Sequence, residues 1–99
     1  MNKEQIIKKI KENIGILEQG FNISRIGLFG SYSTDTSHEG SDVDLIYELK
    51  EGKRLGFKEA YELEHYIKEL LETEKVDLVN QKYLNPIFEE EIRKTVIYV

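Results

Sequence analysis

In the stretch LFGSYSTDTSHEGSDVDLIYEL, residues 28–49, one apolar run ends at Gly30-Ser31 and the next opens with Asp42 and Asp44, one residue apart. In a strand, side chains two residues apart share a face. Asp42 and Asp44 therefore point the same way, roughly 6–7 Å apart along the strand, while Val43, Leu45, Tyr47 and Leu49 take the other face and can bury against a helix. Two like charges so close disfavour each other's ionisation unless a cation sits between them. The chain must build a sheet whose one face is apolar and whose other face, at one edge, has charge to neutralise.

The remaining elements follow from periodicity. Ile6, Ile10, Ile14 and Leu17, with Ile7 beside them, form one apolar stripe that predicts a helix over 3–19. Asn2 and Gln5 have the spacing of a capping box, and Gly20 suits the residue just past the helix end. The lysines at 3, 8, 9 and 11 are read as the solvated face of that helix. Ile23 to Phe29 is the first strand, and residues 32–41, rich in Ser, Thr, Asp and Gly, are a connector with room for one helical turn. Asp42 to Leu49 is the second strand. Residues 54–72 form a second amphipathic helix through Phe57, Ala60, Leu63, Ile67, Leu70 and Leu71, and Val76 to Val79 form a third strand. Asn85-Pro86 reads as an N-cap and first helical position, followed by Glu89, Glu90 and Glu91 early and Arg93 and Lys94 late, as the helix dipole prefers. Val96 to Val99 closes the chain as a strand. The order α-β-β-α-β-α-β describes an α/β (α+β) fold, a small mixed sheet with helices packed against it, expected as a single domain over 1–99.

Composition narrows the function. There is no cysteine, which removes disulfides, thiolate nucleophiles and thiolate zinc sites. The formal charge of −5 opposes a non-specific grip on nucleic acid, which relies on Lys and Arg neutralising phosphates. The apolar runs are too short for a membrane helix, and charges interrupt MNKEQIIKKIKEN throughout, unlike a secretory signal. A cytoplasmic location with neither membrane nor direct nucleic-acid binding is expected.

A third carboxylate comes from topology. The second strand, helix 54–72 and third strand make a β-α-β crossover, so the two strands run parallel. If they share a face, Asp77 lies beside Asp42 and Asp44, and it is the only charge within Val76-Asp77-Leu78-Val79. Gly30-Ser31 falls at the same edge. Backbone N–H groups at such a turn bind phosphate oxygens, and glycine lets the phosphate approach closely. All-oxygen ligands select magnesium or manganese. Phosphate cradle and hard-cation site together point to a metal-bound nucleoside triphosphate.

Gly30-Ser31, ten residues, then Asp42-x-Asp44 resembles the G-S-x10-D-x-D signature of DNA polymerase β-like nucleotidyltransferases. The flanks IGLFGSYS and SDVDLIYEL, VDLV around Asp77 and the closing NPIFEEEIRKTVIYV are similar in particular to the minimal nucleotidyltransferase antitoxins of HEPN/MNT toxin–antitoxin pairs. The resemblance implies the nucleotidyltransferase fold and a two-metal site. Asp42 and Asp44 are then ligands of both Mg2+ (or Mn2+) ions, and Asp77 is the third metal-holding carboxylate, the one that activates the nucleophile. Gly30 and Ser31 would bind the terminal phosphates of ATP. The activity it implies is transfer of AMP from ATP to a tyrosine of a partner HEPN ribonuclease toxin, in a hetero-oligomer, which silences the toxin.

One position departs from the pattern. Where such sequences commonly read G-S-x-A-R-G, this chain has Gly30-Ser31-Tyr32-Ser33-Thr34-Asp35, with threonine for arginine and a carboxylate after it. The departure bears on activity rather than fold, and motivates an alternative, a non-catalytic antitoxin that masks its partner by binding. A third reading is a transferase for a small molecule or an RNA end. His38 is read as a connector residue and His65 as a surface one. Tyr61 and Tyr66 are read as packing or helix-face residues, and Tyr32 either stacks on a base or packs under the loop.

Overall fold

The computed structural model describes residues 1–99 and contains one four-stranded sheet. The elements run α1 (Lys3–Glu12), α2 (Ile14–Phe21), β1 (Ile23–Phe29), β2 (Val43–Leu49), α3 (Phe57–Leu71), β3 (Val76–Asn80), a 3-10 turn (Gln81–Tyr83), α4 (Pro86–Arg93) and β4 (Ile97–Tyr98). β1 pairs antiparallel with β2 and with β4, and β2 pairs parallel with β3 across the α3 crossover. No helix is long and apolar enough to cross a membrane.

The capping box forms as the spacing requires, with Asn2 and Gln5 exchanging two 2.9 Å hydrogen bonds. The helix expected over 3–19 is instead broken at Asn13. The Asn13 amide donates to the Lys9 carbonyl at 2.8 Å and accepts from the Tyr66 hydroxyl at 3.1 Å. An asparagine that bonds its own backbone competes with the helical ladder, and here α3 holds it in place. The second segment ends not at Gly20 but at Asn22, in the left-handed region at φ 59°, a conformation that asparagine tolerates. The second helix starts at Phe57, capped by the Gly56 backbone, rather than at residue 54. β2 starts at Val43, so Asp42 lies just outside it; β3 extends to Asn80, and β4 is only two residues long.

Both faces of the sheet are covered. Ile26 and Leu28 of β1 and Val43, Leu45 and Tyr47 of β2 pack against Ile6, Ile10 and Leu17 and against Leu63, Ile67 and Leu71. On the opposite face, which the sequence reading left to the aspartates, Phe29, Ile46 and Ile92 form a second buried cluster, with Val79, Leu84 and Val96 packed on it. The aspartate face is therefore apolar through the middle of the sheet and acidic only at one end.

Gly27 lets β4 close this layer. A Cβ at that position would stand 2.7 Å from Val96 Cγ2 and 2.9 Å from Tyr98 Cδ1. Gly27→Ala is expected to cost about 1–3 kcal/mol through overpacking, read as a lower urea midpoint. An unchanged midpoint would show that β4 shifts at no cost.

Candidate active site

The strand register builds a row of side chains across the sheet. Phe29 pairs with Asp44, and Asp44 with Asp77. Paired residues in adjacent strands share a face, so the Asp44 and Asp77 carboxylates stand side by side at the end of the outer apolar cluster. Asp42 joins them from just before β2, where the neighbouring Val43 N–H donates to the Lys75 carbonyl at 2.8 Å. Asp42 and Asp77 are exposed and Asp44 is half-buried.

Gly30 is required beside this row on two counts. Its φ is +76°, and a Cβ there would collide with the Asp44 carboxylate. Beyond it, residues 31–35 form hydrogen-bonded turns rather than a helix. The Gly30 carbonyl accepts from the Ser33 and Thr34 N–H groups at 3.1 and 3.3 Å and from the buried Ser33 hydroxyl at 2.8 Å. The Ser31 carbonyl accepts from Thr36 N–H at 2.9 Å. The carbonyls thus turn inward, and the Ser31 hydroxyl and the Ser31 and Tyr32 N–H groups make no hydrogen bond within the protein. Tyr32 packs against the main core, under the loop.

No cation pairs with Asp42, Asp44 or Asp77 in a molecule with nine close ion pairs. The consequence falls on Asp44, whose pKa is pushed up to about 6, first by burial, then by Asp77 and Asp42. Thr34 supplies no compensating charge. Its hydroxyl donates to the Gly30 and Ser31 carbonyls at 3.3 Å each and lies 2.9 Å from Thr36 Oγ1. Asp35 is drawn towards α1 by Lys3 at 3.0 Å, so the extra carboxylate of the connector is neutralised.

Residues 4–99 match the family described as polymerase beta nucleotidyltransferases. The chain belongs to that family. It is 35% identical over 97 residues, 97% of this chain and 93% of the relative, to a Methanocaldococcus jannaschii protein provisionally named a protein adenylyltransferase. It is also 35% identical to the protein adenylyltransferase MntA of Thermococcus cleftensis, over 84% of this chain and 81% of that one. Among solved structures, a toxin–antitoxin crystal structure with AMP-PNP matches with TM-score 0.69 at 26% identity, covering 99% of this chain and 72% of that one. A complex of a tri-AMPylated Shewanella oneidensis HEPN toxin with an MNT antitoxin shares the fold, with TM-score 0.60 at 24% identity, over 98% of this chain and 67% of that one. The small mixed sheet described above is thus the nucleotidyltransferase fold.

Within that fold, the register brings Asp44 and Asp77 together, with Asp42 and the Gly30-Ser31 turn at the same edge. The three carboxylates do not close into a metal-holding cluster in this conformation. They offer only oxygen donors and have no ion-pair partner, and burial first, then Asp77 and Asp42, pushes the Asp44 carboxyl up. His38 and His65 stand apart. The former bonds the Glu39 carbonyl within the connector and the latter pairs with Glu69 on the α3 surface.

Lys75 is the residue that the sequence reading passed over. Its ammonium reaches the Gly40 carbonyl at 3.2 Å and has no carboxylate partner. Its place two residues before Asp77, with the same strand parity, was the available signal.

The raised pKa has a testable sign. A carboxyl whose folded pKa lies above its ordinary value of 3.8 contributes stability below that value and loses it as pH rises through about 6. In metal-free buffer at pH 7.5, Asp44→Asn is expected to be more stable than wild type by about 1–2 kcal/mol, after allowance for solvent screening. At pH 4 the gap closes to a small fraction of that. Urea unfolding at the two pH values reads the difference, and an equal gap at both would contradict repulsion and burial as its source.

Proposed function

We propose that this chain is an antitoxin that transfers AMP from ATP to a tyrosine of a partner HEPN ribonuclease toxin and so neutralises it. The observation that carries the reading is the row of unpaired aspartates beside the Gly30-Ser31 turn, a hard-cation surface next to free N–H and O–H donors. The MntA relative, a protein adenylyltransferase, and the toxin–antitoxin neighbour with its AMP-PNP support the same reaction class. The reading expects a cytoplasmic hetero-oligomer, where ATP and partner meet.

Asp42, Asp44 and Asp77 would hold Mg2+ or Mn2+. When bound, the ions neutralise phosphate charge and lower the pKa of the attacking hydroxyl. The Ser31 hydroxyl and the Ser31 and Tyr32 N–H groups hold the β- and γ-phosphates, with Gly30 leaving room for close approach. Lys75 supplies the positive charge that Thr34 lacks. The acceptor tyrosine oxygen attacks the α-phosphorus; one P–O bond forms, the bond to the β-phosphate bridge breaks, and pyrophosphate leaves with the electron pair. Asp77, exposed on an edge strand, takes the tyrosine proton. The protein's part is positioning and fixed charge, which suits in-line displacement.

A second reading, a non-catalytic antitoxin that binds and masks its partner, is favoured by Thr34, whose hydroxyl is absorbed in the loop. Transfer of label from ATP carrying it in the α-phosphate to the purified cognate HEPN protein decides between them. Wild type is expected to label the partner only with Mg2+, and Asp42→Asn/Asp44→Asn to lower the rate by about a hundredfold or more. If folded wild type transfers nothing, and Asp44→Asn still neutralises the toxin, the binding reading replaces the catalytic one. Lys75→Ala is expected to raise the KM for ATP by about tenfold, the size of one charge-assisted phosphate contact, with a smaller change in kcat. A KM left unchanged would remove Lys75 from the site.

A further inference from the structure

An apolar groove runs between α3 and the free edge of β3, away from the aspartates. Tyr47, Leu55, Phe57, Ala60, Leu78 and Tyr83 line it. Phe57 is 99% exposed, Tyr83 74%, and Tyr61, one turn along α3, 67%. β3 is the outermost strand on this side, so its outer backbone edge has no partner strand. Large aromatic side chains left open to water beside an unpaired sheet edge are a feature of surfaces that meet another molecule.

At Tyr83 the groove continues into a pocket walled by Lys50, Lys53, Arg54 and Lys82. None of the four is ion-paired. Of the two glutamates in the same wall, Glu48 is engaged by Arg25, which leaves Glu51 alone against four cations. In a chain with a net charge of −5 this is a concentrated positive end to an apolar strip.

We propose that this strip is the docking site for the partner protein, whose docking segment presents apolar side chains to the groove and carboxylates to the Lys50–Arg54 end. The proposal rests on the reading above that the chain acts on another protein, and names the surface that holds it. Charge complementarity selects the occupant. In a two-fold pair of this chain the cation cluster would meet itself or the aromatic groove and stay unneutralised. A nucleic acid would match the cations but not the aliphatic floor of Leu55, Ala60 and Leu78, and Glu64 stands at the far end. A protein segment with an apolar stripe and an acidic end satisfies both halves. Leu78 is adjacent to Asp77 on the same edge strand and points to the opposite face of the sheet, so a partner seated in the groove lies across that strand from the aspartate row.

The test is calorimetric titration of the purified cognate HEPN ribonuclease into wild type, Phe57→Ser/Tyr83→Ser and Lys53→Glu/Arg54→Glu. Ile87→Ser, at an apolar α4 position that is 81% exposed, is the control. Both strip variants are expected to keep the wild-type urea midpoint and to weaken Kd at least tenfold. The charge variant should lose more affinity at low salt than at high salt, and Ile87→Ser should bind as wild type does. Unchanged affinity in both strip variants overturns the docking site and leaves the transfer reaction standing. Conversely, wild type that binds through the strip but transfers no AMP overturns the catalytic reading alone. Strip-dependent self-association, or strip-dependent binding of a single-stranded RNA oligonucleotide in place of the HEPN protein, also overturns the proposal.

Discussion

The rest of the structure is arranged around one half-buried carboxylate, Asp44, which stands beside two others and has no cation partner. Asp44 is held between Phe29 on one strand and Asp77 on the next, with Asp42 at hand, and its carboxyl is pushed up to about 6. A chain under selection for stability alone would place an apolar or neutral residue there. Retaining the aspartate row costs stability, and functional sites are where such costs concentrate. Under the proposed function, the charge of a bound cation and its phosphates would supply the compensation.

The rest of the fold holds that row rigidly. The parallel pairing of β2 with β3 sets Asp77 against Asp44, and the α3 crossover fixes that register through Leu63, Ile67 and Leu71. The Phe29–Ile46–Ile92 cluster anchors the same face from behind, so the aspartates project from a packed layer rather than a frayed edge. Gly30 then brings the connector within contact of Asp44. The strip along β3 places the proposed partner surface one residue from Asp77. The proposed catalytic and docking residues thus share one strand.

Much of this was legible in the sequence because it depends on strand parity and local spacing. Alternation around Asp42 and Asp44, the crossover to Asp77 and the Gly30-Ser31 turn all express short-range geometry, and the structure brings those residues to one edge. What the sequence hid depends on tertiary contact. Asn13 breaks a helix that its apolar stripe would continue, because its amide and the Tyr66 hydroxyl find each other across 53 residues. The alternation around Asp42 and Asp44 gives Ile46 no place, and α4 supplies one by covering it with Ile92. Asp35 reads as a carboxylate out of place in the motif until Lys3 turns it aside, and the contact of Lys75 with the Gly40 carbonyl appears only in the folded chain. The groove of Phe57, Tyr61 and Tyr83 joins separate elements, and no window of sequence contains it.

The account turns on the aspartate row being a working metal–nucleotide site. The most direct test is thermal unfolding with and without ATP and Mg2+, for wild type and for Asp42→Asn/Asp44→Asn. A ligand that binds only the folded protein raises the midpoint by mass action. The account predicts a rise in wild type that needs both ATP and Mg2+ and disappears in the double variant. An equal midpoint with and without ATP and Mg2+ in folded wild type would contradict it.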